Sequence, residues 1–492
     1  MTDMTGVTGM TGMTSGDPER TVSLDDRRVR DRLEAFGQGH LLAFWGRLDD
    51  VERRRLLLQC DSLPLESLGR AIESASGDAP EGESSLAIEP AEVVRHEPEG
   101  SEQYRELGEA MVREGRVACF TVAGGQGTRL GWEGPKGTFA ATPIAGKSLF
   151  QVFAESILAA RARWRGMVRW YIMTSPLNHL ETERFFAAHS WFGLGANTVT
   201  LLMQGTLPSL SLDGKILLAS PGSIALNPDG HGGAIRALAA TGALEAMREA
   251  GIDTLSYFQV DNPLVHAVDP LFLGLHASHA SSSGEVSSKV VAKRDPSEKV
   301  GIFCRRGGRT MVLEYSDLPR DLAEATAGGG ALLHWAGSIA IHAFSRSFLE
   351  RLAADGGRLP LHRALKKVPH VDPATGALID PAQPNAIKLE SFIFDAVPLA
   401  TQSLVYETRR DEEFAPIKNA TGEDSPKTSC AAQSERAARW LERAGVGVPR
   451  AAEDGSLEAT IELSPLTALD AASLAQCRTL PPSIARGSNV LL

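Results

Sequence analysis

Val117–Val122 is an apolar run interrupted only by Thr121, and it leads straight into a loop crowded with glycine. From Gly115 onward such runs alternate with stretches of helical periodicity, the pattern of α/β units on a mainly parallel sheet. Strands are predicted at Val117–Val122, Val168–Thr174, Thr198–Gln204 and Thr254–Val260, the last running onto Asp261. Ser148 opens a helix, with Gln151 three residues on completing a capping box. Ser175-Pro176 reads as the cap and first-turn proline of a helix through His189, and Gly233–Ala250 as a further helix. Lys299–Cys304 and Thr310–Tyr315, split by Arg305–Arg309, form an expected antiparallel pair, and Asp213-Gly214 marks a hairpin turn.

Upstream, Leu24, Val29, Leu33, Phe36, Leu41, Leu42 and Phe44 recur on helical faces between Ser23 and about Ile72. Residues 1–20 repeat Met-Thr-Gly units without apolar periodicity and read as a disordered tail. Ser74–Gln103 is rich in Gly, Pro, Ser and Glu and reads as an extended, solvated linker. After about Ala400 a shorter αβ region runs to the C-terminus.

Composition narrows the picture. A chain of 492 residues is too long for one ordinary core, so two or three domains are expected. A net charge of −11 argues against nucleic acid as a partner, because phosphate backbones call for basic surfaces. The five cysteines, Cys60, Cys119, Cys304, Cys430 and Cys477, show neither metal spacing nor a disulfide framework, which points to a reducing cytoplasm. No apolar run approaches the roughly 18 residues that would suggest a membrane span. The first residues lack the basic and apolar blocks of a signal peptide.

The candidate chemistry lies in V-A-G-G-Q-G-T-R-L-G-W-E-G-P-K-G, where Gly124, Gly125 and Gly127 precede Arg129 and Lys136. Glycines allow backbone N–H groups to approach an anion, and the two cations can spread charge over phosphate oxygens. A Walker loop is excluded, because Gly127 is followed by Thr128 and Arg129 rather than Lys and Ser/Thr. A dinucleotide fingerprint is excluded because Leu130 fills its third glycine slot, and with it an NAD-dependent oxidoreductase. From the local sequence alone Asp261 is equally a strand-end metal carboxylate or an Asp-Asn-Pro turn residue.

This segment resembles the signature of the nucleotide-sugar pyrophosphorylases, and among them the eukaryotic-type UDP-N-acetylglucosamine pyrophosphorylases. The resemblance continues in family order through Q-G-T-L-P-S at Gln204–Ser209, N-P-D-G-H-G-G at Asn227–Gly233 and V-D-N-P-L-V at Val260–Val265. It goes on through V-L-E-Y-S-D at Val312–Asp317, P-N-A-I-K-L-E-S-F-I-F-D at Pro384–Asp395 and F-A-P-I-K-N-A at Phe414–Ala420. It implies a doubly wound, mainly parallel nucleotidyltransferase core of Rossmann-like, GT-A type. The implied division is the tail 1–20, a mostly helical region and linker 21–103, a catalytic domain 104–400 and a smaller C-terminal domain 401–492.

The implied reaction is in-line attack of a sugar-1-phosphate on the α-phosphate of UTP, releasing pyrophosphate. Arg129, Lys136 and Lys388 would be the catalytic phosphate-binding cations, with Lys418 a further phosphate contact. Gly124, Gly125 and Gly127 would offer backbone contacts to nucleotide; Gln204 would read uracil, beside a uridine-contacting loop at Pro228 and Gly230. Asp261 would hold Mg²⁺ or Mn²⁺. Glu314 matches a carboxylate that binds sugar hydroxyls. Ser338 and His231 stand where N-acetylglucosamine enzymes carry asparagine, and Trp335 where they carry a smaller polar residue, so the sugar pocket departs from the pattern. N-acetylglucosamine-1-phosphate is the expected acceptor, glucose-1-phosphate or a broad hexose-1-phosphate range the rival, and a non-catalytic nucleotide-sugar sensor the reading from another class. A monomer or weak oligomer is expected.

Overall fold

The computed structural model describes residues 26–73, 87–357 and 359–492. The expected tail 1–20, Leu24 and the 74–86 portion of the expected linker lie outside the described residues. The described chain gathers into two compact units. One comprises residues up to 73 with 208–225 and 366–386, and the other 87–207, 226–365 and 387–492.

In the first unit the helical periodicity becomes helices Asp26–Ala35, Asp50–Asp61 and Leu65–Glu73. Asp49 opens the second with a reciprocal capping box to Glu52. The Asp213-Gly214 turn closes as expected: Gly214 takes φ +82°, and the Ser211 N–H donates to the Lys215 carbonyl at 2.7 Å. Gln38 receives the Ile216 N–H at 2.9 Å and donates to the Gly214 carbonyl at 3.1 Å, which holds this hairpin against the N-terminal turns.

The second unit is built on one large sheet, ten-stranded among the described residues. Its parallel block runs Thr254–Gln259, Val117–Val122, Arg169–Thr174, Val199–Met203, each strand hydrogen-bonded to the next. Every residue of Val117–Val122 is buried, which is why that strand reads as an apolar run without alternation. An antiparallel wing continues the sheet: Ala336–Ser345 pairs with Thr254–Gln259, and Ile302–Arg306 pairs with Arg309–Leu313. The α/β class and parallel core expected from the sequence are therefore present. Chain order reverses between Val117–Val122 and Thr254–Gln259, so a topological switch point opens at their carboxyl ends.

Four details differ from the sequence expectation. Ser148 accepts the Gln151 N–H at 3.1 Å, but the capping box is not reciprocal, since the Gln151 amide turns to Glu155 at 3.0 Å. The helix after Ser175-Pro176 begins only at His179, because Pro176–Asn178 form a turn in which the Ser175 carbonyl receives the Asn178 and His179 N–H groups. Gly233–Ala250 is two helices, Ala234–Ala240 and Ala243–Glu249, divided where Gly242 takes φ +74°. Within the expected linker, Ile88–Pro90 is a strand paired with Ile302–Arg306, and Ser101 already opens the helix Ser101–Arg113.

Candidate active site

The glycine loop folds back on itself through its backbone. Gly127 N–H donates to the Gly134 carbonyl at 3.0 Å and Lys136 N–H to the Gly125 carbonyl at 3.1 Å. These bonds bring Lys136, eleven positions beyond Gly125, back to the carboxyl end of the first strand. A Cβ on Gly124 would collide with the Gln204 Oε1, and one on Gly137 with the Phe150 ring, whereas Gly125 faces open space. Gly124 thus lets a backbone segment lie against the Gln204 carboxamide, and Gly125 leaves its backbone accessible to a ligand. Arg129 is exposed on the short turn Thr128–Leu130.

At the other side of the switch point stands Asp261. Its Oδ2 receives the Lys136 Nζ at 3.1 Å, with the two side chains 20% and 16% exposed. Burial works to raise the Asp261 carboxyl, but the Lys136 and Lys418 ammoniums outweigh it and hold its pKa below the ordinary range, so it is ionised at neutral pH. Lys418 arrives by a backbone bond: the Ile417 N–H donates to the Asp261 carbonyl at 2.8 Å. Its ammonium also pairs with Asp424 at 3.3 Å. Two lysines from distant motifs therefore converge on one carboxylate.

Gln204 is buried at the end of Val199–Met203, its N–H donating to the Thr174 carbonyl at 2.9 Å. The loop Pro228–Gly233 packs on Ser391 and Phe392: side chains on Gly230 or Gly232 would run into the Ser391 backbone. Lys388, half-buried, lies on the same strand, Ala386–Ser391. Within this loop Asp229 is buried and pairs with Arg236 at 2.5 Å.

His231 takes a defined protonation state. Burial, assisted by His362, pushes its pKa down to about 4, so the ring is neutral at pH 7. Its Nδ1 accepts the Ile393 N–H at 3.1 Å, which leaves the ring proton on Nε2. The ring stacks on Phe392, centroids 5.2 Å apart. One nitrogen of His231 is thus committed to the loop's own anchorage, and only Nε2 remains for a ligand.

Glu314 belongs to a polar group with Asp317, His362, Asp395 and Lys418; burial, then Asp317, raises its pKa. His362 Nε2 donates to Asp395 Oδ2 at 2.8 Å, and its ring lies 4.4 Å from that of Phe392, centroid to centroid. Ser338 connects to the same neighbourhood, since its N–H donates to the Gly301 carbonyl at 2.8 Å and Gly301 abuts Glu314. Trp335 instead carries the Arg95 guanidinium over its ring at 4.2 Å.

Asn178, Asp229, His362 and Asp395 join the site without having been candidates from sequence. Asp229 and Asp395 lie inside the motifs N-P-D-G-H-G-G and P-N-A-I-K-L-E-S-F-I-F-D; Asn178 falls within the helix expected from Ser175-Pro176, and nothing local marks Asn178 or His362. Among the described residues the cluster with metal-ligand spacing is His266, Asp269 and Glu413, yet the Lys289 ammonium already fills it. Lys289 donates to Asp269 at 2.6 Å and to Glu413 at 2.7 Å, with Lys289 and Glu413 each 1% exposed. This is a buried ion triad tying strand Val286–Ala292 to the segments carrying Asp261 and Lys418. Lys289→Met should destabilise the fold by about 3–5 kcal/mol, because two carboxylates lose their buried partner. Urea denaturation of the variant checks this, and a change below about 1 kcal/mol would contradict it.

A model of the family described as UTP--glucose-1-phosphate uridylyltransferase matches residues 81–424. The chain is 36% identical over 438 residues to UDP-N-acetylglucosamine diphosphorylase 2 of Arabidopsis thaliana, covering 84% of each. The crystal structure of a uridine diphosphate N-acetylglucosamine pyrophosphorylase from Trypanosoma brucei superposes with TM-score 0.77 at 25% identity, covering 93% of this chain and 97% of that one. That of a UDP-N-acetylglucosamine pyrophosphorylase from Entamoeba histolytica, described there as putative, gives TM-score 0.70 at 31% identity, covering 82% and 99%. With the switch-point loop, the matched span and these relatives together, the chain belongs to the UTP--glucose-1-phosphate uridylyltransferase family.

Proposed function

We propose that the protein is a UTP:sugar-1-phosphate uridylyltransferase that forms UDP-N-acetylglucosamine and pyrophosphate, acting in the cytoplasm as a monomer or weak oligomer. The observation that carries the reading is the meeting of Lys136, Asp261 and Lys418 at the switch point, one loop away from the Gly124–Gln204 contact. The nucleophile, a sugar-1-phosphate, arrives already ionised, so the reaction needs no general base to generate it. What it needs is screening of two mutually repelling anions and alignment of attacker with leaving group. Lys136 and Arg129 supply charge to the triphosphate, with Lys388 and Lys418 serving the second phosphate. Gln204 offers a donor and an acceptor together, as a uracil edge requires, with Gly125, Gly127, Pro228 and Gly230 contributing backbone. No described helix is long and apolar enough to cross a membrane.

Asp261 suits a divalent ion, Mg²⁺ or Mn²⁺. It is an ionised, partly exposed carboxylate among phosphate-binding cations, and Mg²⁺ commonly takes one or two carboxylates with waters and phosphate oxygens. Such an ion supplies charge neutralisation at the phosphates. The His266–Asp269–Glu413 cluster does not suit one, since Lys289 occupies it.

A panel of sugar-1-phosphates incubated with UTP and Mg²⁺, followed by pyrophosphate release, tests the function; no release with any acceptor would refute it. A second reading, glucose-1-phosphate or a broad hexose range, is favoured by Ser338 and by the commitment of His231 Nδ1 to Ile393. Ser338→Asn should raise the ratio of activity on the N-acetylated over the plain hexose phosphate, about tenfold for one added hydrogen-bonding amide. An unchanged ratio would mean Ser338 does not face the sugar.

A further inference from the structure

Asn178 is the residue before the helix His179–Ala188, where an asparagine ordinarily accepts N–H groups of the first turn. Here its side chain makes no capping bond. It turns inward, is 1% exposed, and donates from Nδ2 to the Ala123 carbonyl at 2.9 Å and the Gly125 carbonyl at 3.3 Å. Its Oδ1 accepts the Ser175 N–H at 2.8 Å and the Ser175 hydroxyl at 3.2 Å. Both amide hydrogens and the carbonyl oxygen are thus in use, at a depth where water cannot substitute for them.

The acceptors are informative. Ala123 and Gly125 bracket Gly124, the residue against Gln204. The Gly125 carbonyl also receives the Lys136 N–H at 3.1 Å, and Lys136 reaches Asp261. Ser175 follows the neighbouring strand Arg169–Thr174, whose Thr174 carbonyl holds the Gln204 N–H. Through Ser175 and the adjoining Thr174 carbonyl, Asn178 therefore links the strand that holds Gln204 to the loop that carries Lys136. A second tie runs alongside it, from Gln126 Nε2 to the Leu177 carbonyl at 3.2 Å.

We propose that Asn178 is a positioning residue for the nucleotide: by giving up its capping bond it sets the distance between the uracil-facing and triphosphate-facing parts of the site. Resting on the uridylyltransferase reading, this predicts a defect confined to UTP. The side-chain bonds of Asn178 go to Ala123, Gly125 and Ser175, on the nucleotide side of the site, rather than to the groups assigned to the sugar-1-phosphate.

The experiment compares wild type, Asn178→Ala and Asn178→Asp in initial rates against UTP and against N-acetylglucosamine-1-phosphate, with thermal melts of each. Asp keeps the acceptor for Ser175 but turns an oxygen toward the Ala123 and Gly125 carbonyls, so it separates the turn from the loop. The expected result is a fall in kcat/KM for UTP of roughly 10- to 100-fold in both variants, the scale for an ångström-sized misplacement. The sugar-1-phosphate KM should stay within about twofold, since its binding groups are untouched. Wild-type UTP parameters in Asn178→Ala would overturn the proposal, as would retained activity in Asn178→Asp, which would mean that only the Ser175 turn matters. Equal loss toward both substrates with a lowered melting temperature would also overturn it, by showing a general structural role. If Asn178→Asp fails to fold, Asn178→Ala alone decides. A wild-type protein that neither binds nor consumes UTP would instead remove the parent reading, and this proposal with it.

Discussion

Lys136→Ala is expected to lower turnover by roughly two or more orders of magnitude, the scale for losing a group that stabilises developing charge. The structure makes the effect twofold in origin. The substitution removes a cation from the carboxyl end of the central strand, and it also leaves Asp261 with Lys418 as its remaining charge partner among the causes that hold its carboxyl down. Burial then counts for more, and the Asp261 pKa should rise toward or above the ordinary carboxylate range. The loss should accordingly deepen as pH falls. Arg129→Ala, whose side chain is exposed, removes charge without that second consequence and should show a comparable fall with no added pH dependence. Steady-state rates of pyrophosphate release between about pH 5 and 8 measure both, reaching down toward the ordinary carboxylate values. Near-normal turnover in both variants would refute the phosphate-loop assignment.

Asp261→Asn is expected to shift the Mg²⁺ titration of activity to at least about tenfold higher concentration and to slow turnover by roughly 100-fold. The exchange is nearly isosteric, so the Ile417 N–H bond to the Asp261 backbone carbonyl persists and Lys418 keeps its place. What changes is the charge facing Lys136 at 3.1 Å and the capacity to bind a hard cation. A metal titration that superimposes on wild type would take Asp261 out of the metal shell and leave it as a partner of Lys136.

Much of this site is legible in one dimension. The glycine loop announces itself because an apolar strand, three glycines and two cations fall within a short span, and the strand is unbroken because both its faces are covered. The carboxylate at Asp261 is legible for a similar reason, standing where a second buried strand stops. The resemblance then orders Gln204, Pro228, Gly230, Glu314, Lys388 and Lys418 by motif, each short enough to be recognised without knowing what it touches. Hairpin chemistry at Asp213-Gly214 is equally local, needing only a residue able to take φ +82°.

Local signals misplace elements where a tertiary contact competes with them. Ser175-Pro176 has the composition of a helix start, yet the helix waits until His179 because Asn178 is drawn toward Ala123 and Gly125. Gly242 breaks an otherwise continuous helical pattern because its backbone turns left-handed there, a choice an apolar periodicity does not record. Ile88–Pro90 looks like linker because its composition is polar, and it is a strand only because Ile302–Arg306 offers an edge.

The sequence by itself determined the α/β class, the glycine loop with its two cations, the position of Asp261 just past a buried strand and the family motifs, since each depends on residues close together in the chain. The tertiary structure alone decided the partnerships: Lys136 with Asp261, Ile417 carrying Lys418 to the same carboxylate, His231 bound to Ile393, and Asn178 spent on a loop more than fifty positions away. The physical reason is that a hydrogen bond or ion pair is fixed by separation in space, whereas periodicity and spacing register only separation along the chain.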